Sequence, residues 1–328
     1  MAAITGSPPV ARRRGNLARQ EAMYGYIFLA PWILGFLIFV AGPMLAAVVL
    51  SFHRYSIALP PEFVGIENFQ RMIGACPEGS RSCVTDVLFF PSLARTGQWA
   101  IMYVPLAIVG ALMTAVLLNQ GLRGTNVYRT IFFLPHLTPI VASIFIWAWL
   151  LHPAYGFVNE VIWQVSFNLT GQGIVGPKWF GGTESAIPSL VLVALWGAIG
   201  GNGMLIFLAG LQGVPKELYE AAEIDGAGLW SRFANVTVPM ISPTILFNLV
   251  LGIIGALQAF ANAFIATDGG PAYATWFFAL HIYQNAFTFS EYGYASALAI
   301  VFFVIILILT ALNFQLSKRW VHYGGEVK

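Results

Sequence analysis

The chain has 328 residues, of which 58% are hydrophobic and only 9% charged, with a formal net charge of +2. A soluble protein carries charge on roughly a quarter of its residues, so this composition excludes a water-soluble enzyme or nucleic-acid binder and places the chain in a membrane. No polar stretch approaches the roughly 100 residues of a typical soluble domain.

The chain opens on a basic segment with Arg12, Arg13, Arg14 and Arg19, expected to be a tail over residues 1–23. An apolar run over Tyr24–Leu50 follows. It exceeds the 7–15 residues of a signal-peptide core and lacks a small-residue cleavage site, so it reads as a retained first membrane helix. A helix needs about 20 apolar residues to cross the hydrocarbon core. Five more segments qualify: Thr96–Leu118, Ile131–Leu151, Pro188–Leu211, Pro243–Ala266 and Tyr294–Phe314. The expected fold is therefore an all-α polytopic membrane protein with about six transmembrane helices. Its membrane domain runs over residues 24–319, with a tail at 320–328.

Lys and Arg set the orientation. With six spans, both termini share one side, which receives Arg12, Arg13, Arg14, Arg19, Arg123, Arg129, Lys216, Arg232, Lys318, Arg319 and Lys328, eleven of the sixteen basic residues. That side is expected to be cytoplasmic, and the loops 52–95, 152–187 and 267–293 external. The first of these loops holds the two cysteines, Cys76 and Cys83, which an oxidising exterior would allow to pair. In the second, Phe157–Phe167 mixes apolar and polar residues as an interfacial helix does. His136, His152 and His281 have no metal-ligand spacing, and no metal is expected. Tyr283, Gln284 and Asn285 are expected to be structural, with an outward surface that receives a partner as the alternative.

A charged island interrupts the apolar pattern over residues 213–242. Pro215 followed by Glu217 is a helix-start signature, and Pro215–Asp225 reads as a short helix with Leu218, Ala221 and Ala222 on one face. Gly226 suits a left-handed helix end, and a second short helix is expected over Leu229–Val236. Glu220-Ala221-Ala222, then Gly226, then Val236 and Val238-Pro239 resemble the EAA signature of permease subunits in binding-protein-dependent ABC importers. Three further stretches carry the likeness: Phe63-Val64-Gly65-Ile66-Glu67-Asn68-Phe69; Thr267-Asp268-Gly269-Gly270-Pro271 with Ala274-Thr275; and Leu29-Ala30-Pro31 with Gly42-Pro43 and Leu50-Ser51-Phe52. The chain thus resembles the carbohydrate-uptake permeases of maltose type, the first permease of the pair. The resemblance implies the type I ABC importer permease fold, with a cytoplasmic coupling helix in which Glu220, Ala221, Ala222, Asp225, Gly226 and Pro239 face an ATPase. It also implies a second homologous permease, two ATPase subunits, an external or periplasmic solute-binding protein and a bacterial or archaeal plasma membrane.

No Gly-x-x-x-x-Gly-Lys-Ser/Thr stretch is present, so the chain has no phosphate-cradling loop. No cofactor is expected on this chain; ATP and Mg are expected on the partner ATPase subunits, and the chain itself is expected to be non-catalytic. The spans lack Asp, Glu and Lys, which disfavours a proton-driven carrier. They offer neutral amides beside aromatics instead: Asn202, Gln258 and Asn262 with Trp196, Phe260 and Phe264. Gln258 and Asn262, four apart on the expected fifth helix, share a face. Such groups either glue helices together or line a path for a neutral sugar or oligosaccharide. The alternatives are a glycerol-phosphate importer permease, which would need basic groups along the path, and a polytopic glycosyltransferase, which would need clustered carboxylates.

Overall fold

The computed structural model describes residues 14–76, 84–121 and 123–322. Its first helix is α1 (Arg14–Phe36), continued through a wider π turn at Leu37–Ala41 into α2 (Gly42–Leu50). The turn lies immediately before Pro43, where Gly42 donates its N–H five residues back to Leu37. A missing proline donor is a common cause of such an irregularity. The helix begins well ahead of residue 24, because the polar residues after Arg14 continue it beyond the apolar run.

A small hairpin follows, β1 (His53–Ser56) against β2 (Leu59–Phe63), antiparallel with an irregularity between Arg54 and Ser56. The expectation of helices alone did not include it. Next come α3 (Glu67–Ile73), α4 (Phe89–Leu118), α5 (Thr125–Leu137), α6 (Ile140–Leu150) and α7 (Phe157–Thr170). The last of these covers the expected interfacial segment. Beyond it lie α8 (Ala186–Ala198), α9 (Asn202–Gln212), α10 (Lys216–Ile224), α11 (Leu229–Arg232), α12 (Val238–Met240), α13 (Ser242–Leu257), α14 (Ala261–Thr267), α15 (Phe278–Tyr283) and α16 (Tyr292–Ser317).

Three helical stretches are long and apolar enough to cross a membrane: Arg19–Leu50, Phe89–Leu118 and Tyr292–Ser317. Three more spans arise if each bent pair counts as one: α5 with α6 at 92°, α8 with α9 at 49°, and Leu229–Met240 with α13 at 69°. Six crossings are thus compatible with the structure, half of them bent. The bends have local causes. Between α5 and α6, Pro139 follows Thr138, whose backbone is extended (ψ 128°), as residues before proline tend to be. Between α8 and α9, Gly200 sits against α5 so closely that a Cβ there would lie 1.8 Å from the carbonyl oxygen of Phe132. Only glycine permits that approach.

The hub is α4, which packs against α8, α9, α13 and α15. Trp99, Leu190, Phe277 and Leu280 form one core region, Met204, Phe207, Leu211 and Ile241 a second, and Phe89, Phe278, Leu298 and Phe302 a third. Within this packing the hydroxyl of Thr96 donates to the Ser92 carbonyl (2.8 Å) and accepts the Phe278 backbone N–H (2.8 Å). One buried side chain therefore satisfies an orphan donor at the start of α15.

Candidate functional site

The charged island forms the expected pair of short helices. Pro215 sits at the cap of α10 with extended backbone, and Glu217 occupies the first turn. At the far end, Gly226 adopts φ +78°, its N–H donates to the Glu223 carbonyl (3.0 Å), and the Ala227 N–H reaches back to the Ala222 carbonyl (2.9 Å). These two bonds are the Schellman closure, which needs a left-handed residue at Gly226. The Arg232 guanidinium on α11 pairs with Glu223 on α10. Tyr219 and Thr237 share a hydrogen bond of 3.0 Å. The two helices are thereby locked as a rigid corner. The second is longer than expected: α11 passes through a π turn at Phe233–Thr237 into α12, which carries Pro239.

Glu220, Ala221, Asp225 and Gly226 are exposed on this corner, and Ala222 is half-buried. Sequence reasoning missed the apolar rim beside them: Ile224 is 87% exposed, Leu229 81% and Trp230 78%. Large apolar side chains on so polar a segment mark a contact surface. Their position around the Gly226 turn was the available signal.

The polar residues of the spans are distributed differently from expectation. The fifth span is not one helix to residue 266: α13 ends at Leu257, Gln258 is its cap, and Asn262 lies on the separate helix α14. The shared helical face is therefore lost. Both amides nevertheless line one cleft of about 500 Å³, together with Trp99, Tyr103 and Phe260. A second cleft of about 300 Å³ shares Tyr103, Leu251 and Gly252 with the first and adds His136, Asn202 and Asn248. The broken helix thus brings together across space residues that a continuous one would have aligned. Phe260 stacks on Phe264 (5.1 Å between ring centres), but Phe264 packs behind the lining. Trp196 meets Trp147 edge-on and lies outside both clefts. Trp99 Nε1 is buried and has no hydrogen-bond partner among the described residues.

A buried polar network lies next to the start of α4. The Asp86 carboxylate accepts from Tyr294 Oη (2.5 Å), His281 Nε2 (2.6 Å) and the Leu88 backbone N–H (2.9 Å). Trp276 Nε1, which can only donate, reaches His281 Nδ1 (3.0 Å), so the imidazole carries its proton on Nε2, facing Asp86. The Thr267–Thr275 stretch delivers Trp276: Thr275 Oγ1 donates to the Gly270 carbonyl (2.8 Å), and the Thr267 and Thr275 hydroxyls meet at 2.6 Å. Gln284 and Asn285 are buried here, with Asn285 Nδ2 donating to the His281 carbonyl (2.8 Å). Their burial fits the structural role expected of them and not the alternative of an outward surface.

Burial pushes the Asp86 carboxyl up, but the hydrogen bonds from His281, Tyr294 and the Leu88 N–H outweigh it and hold the group at about 2. A depressed carboxyl contributes stability above its unfolded value near 4, and that contribution is lost as pH falls toward 2. The shift corresponds to about 2 kcal/mol. Asp86→Asn is expected to lower the unfolding temperature at neutral pH and to flatten its decline between about pH 5 and pH 3. Thermal scans of the purified protein across that range measure both; parallel curves for variant and parent would remove the network from the stability argument.

Cys76, just after α3, is disulfide-bonded; Cys83, its expected partner, lies outside the described residues. Among the described residues no cluster of His, Cys, Asp or Glu has the geometry of a metal site.

A family model described as the binding-protein-dependent transport system inner membrane component matches residues 105–322. A probable ABC transporter permease protein of Bacillus subtilis, YesP, is 35% identical, with 98% of this chain and 99% of that protein covered. The trehalose/maltose transport system permease protein MalF of Thermococcus litoralis is 31% identical, over 92% of this chain and 96% of that protein. Among solved structures, a chain of a bacterial alginate ABC transporter in complex with an alginate pentasaccharide-bound periplasmic protein shares the fold. The TM-score is 0.75 at 22% identity, over 94% of this chain and 98% of that one.

Proposed function

The chain belongs to the family of binding-protein-dependent transport system inner membrane components, and on that premise we propose that it is the permease subunit of an ATP-driven importer for a neutral sugar or oligosaccharide. The observation that carries the reading is the rigid corner around Gly226, locked by the Schellman closure and rimmed by exposed Ile224, Leu229 and Trp230. Such a corner is built to be gripped. In this reading an ATPase subunit grips it from the cytoplasm, on the side of both termini, and supplies the ATP and Mg chemistry for which the chain has no phosphate loop.

The adjoining clefts supply the path. Apart from Tyr103 and His136 their lining has no ionisable side chain, which suits a neutral polyol and not a phosphate ester. Amides of Asn202, Gln258 and Asn262 bond hydroxyls, while Phe260 offers an apolar face. Asn202 and Gln258 are exposed, so the cleft opens on the surface of this chain, where a second homologous permease completes it. Closure of two ATPases moves the corners together and opens the cleft outward to an external binding protein; hydrolysis returns it inward.

Purification of the whole complex, reconstitution in liposomes and uptake measured across a sugar panel test the proposal. Uptake is expected to need ATP inside, the binding protein outside, and both permeases. Transport by this chain alone, without an ATPase, would overturn it.

A further inference from the structure

One further cavity takes no part in the path described above. It measures about 770 Å³ and lies between the hairpin, α3 and the start of α16, at the end opposite the Gly226 corner if each bent pair is one span. Glu67 and Asn68, from the Phe63–Phe69 stretch, belong to one wall. Asn68 is its anchor, its Nδ2 donating to the carbonyls of Ser51 (2.8 Å) and His53 (3.0 Å). That anchor leaves Glu67 facing Arg54 at 2.7 Å, and the same guanidinium stands 3.5 Å from Glu62, which is 70% exposed. One cation therefore serves two carboxylates. On the other wall Arg71 lies over the Tyr294 ring (4.0 Å) and 2.7 Å from Glu291 Oε2. Arg71 thus takes up the buried Oε2, while the Glu291 side chain as a whole stays 40% exposed. The lining carries three carboxylates against two guanidiniums.

We propose that this cavity receives a basic side chain, Lys or Arg, of the external binding protein, with Glu62 at the mouth and Glu291 deeper as its acceptors. The proposal rests on the importer reading and on the orientation that puts this end outside. A concave site with excess negative charge attracts and orients a cationic group. The shared Arg54 prevents the carboxylates from repelling one another when the site is empty. Tyr294 lines the cavity and donates to Asp86, so the cavity adjoins the buried network.

The experiment uses the complete transporter in nanodiscs with its purified binding protein, and reads the binding-protein concentration that half-stimulates ATP hydrolysis. Glu62→Gln and Glu291→Gln are each expected to raise that concentration about tenfold, with the rate in the absence of binding protein unchanged. Glu62→Lys should raise it further, and high salt should narrow the gap between variants and parent. Glu62 is exposed and its loss leaves the Arg54–Glu67 pair intact, so Glu62→Gln decides the matter should Glu291→Gln fail to fold. If the parent is stimulated and the variants half-stimulate at the same concentration, the docking proposal fails alone. If the parent is not stimulated at all, the importer reading beneath it fails.

Discussion

Gly226→Val is expected to cut ATP-driven import by the reconstituted complex by tenfold or more. At φ +78° a β-branched residue is a true outlier, and holding one there costs about 1–3 kcal/mol. The chain relieves that strain by unwinding the turn, which breaks the bonds from Gly226 to Glu223 and from Ala227 to Ala222 and swings α10 relative to α11. Each 1.4 kcal/mol of lost coupling geometry is about a factor of ten in rate. Space around the glycine adds a sharper test. A Cβ at Gly226 meets nothing within 4 Å in this chain, so a side chain there clashes only with whatever docks on the corner. Asparagine tolerates the left-handed conformation yet adds bulk. If backbone strain alone matters, Gly226→Asn should import nearly as well as the parent, and Gly226→Ala should fall between it and Gly226→Val. If the ATPase packs directly on the turn, Gly226→Asn should fail while the protein's thermal stability holds. Normal import by Gly226→Val would sink the coupling assignment.

That corner was readable from sequence because its information is local. A proline before acidic residues, a helix of nine residues and a glycine at the left-handed position are determined by neighbours along the chain. The apolar segments were readable for the same reason, since a sustained apolar run is its own signal, but the bends that split three of the six were not. What stayed hidden depends on distant segments. Asp86 lies 195 residues from His281 and 208 from Tyr294, and no spacing announces that they meet. The fifth span was misread because Gln258, Ala259 and Phe260 are compatible with a helix and no Pro or Gly marks the break that places Asn262 on α14; at the break Ala259 and Phe260 pack against the core around Trp99 and Phe277. Gln284 and Asn285 read as structural, and they are buried because polar side chains can be once their hydrogen bonds are met; Asn285 meets one on His281, a partner that sequence alone does not name.

Phe260→Ala is expected to lower import by about tenfold or more. The ring lines the larger cleft and packs on Phe264 and, at 4.9 Å, on Tyr283. Its removal takes away an apolar face for the sugar and leaves a void behind the lining, a change that costs up to about 3 kcal/mol where the ring is well packed. The amides separate recognition from structure. Gln258→Leu and Asn262→Leu preserve volume and remove hydrogen bonds worth about 1 kcal/mol each. If the amides hold substrate, each variant should raise the KM of import about three- to tenfold with little loss of thermal stability. If they only bridge helices, stability should fall while KM stays. Trp196→Leu and Phe264→Leu serve as comparisons, since neither residue lines the clefts, and their KM should remain near the parent's. A KM rise in Trp196→Leu equal to that in Gln258→Leu would mean that the path runs elsewhere, because no route through these clefts brings a substrate to both side chains. The two outcomes for the amides turn on where Gln258 sits: it caps α13 and its side chain is exposed in the cleft, where an amide can meet a ligand's hydroxyl.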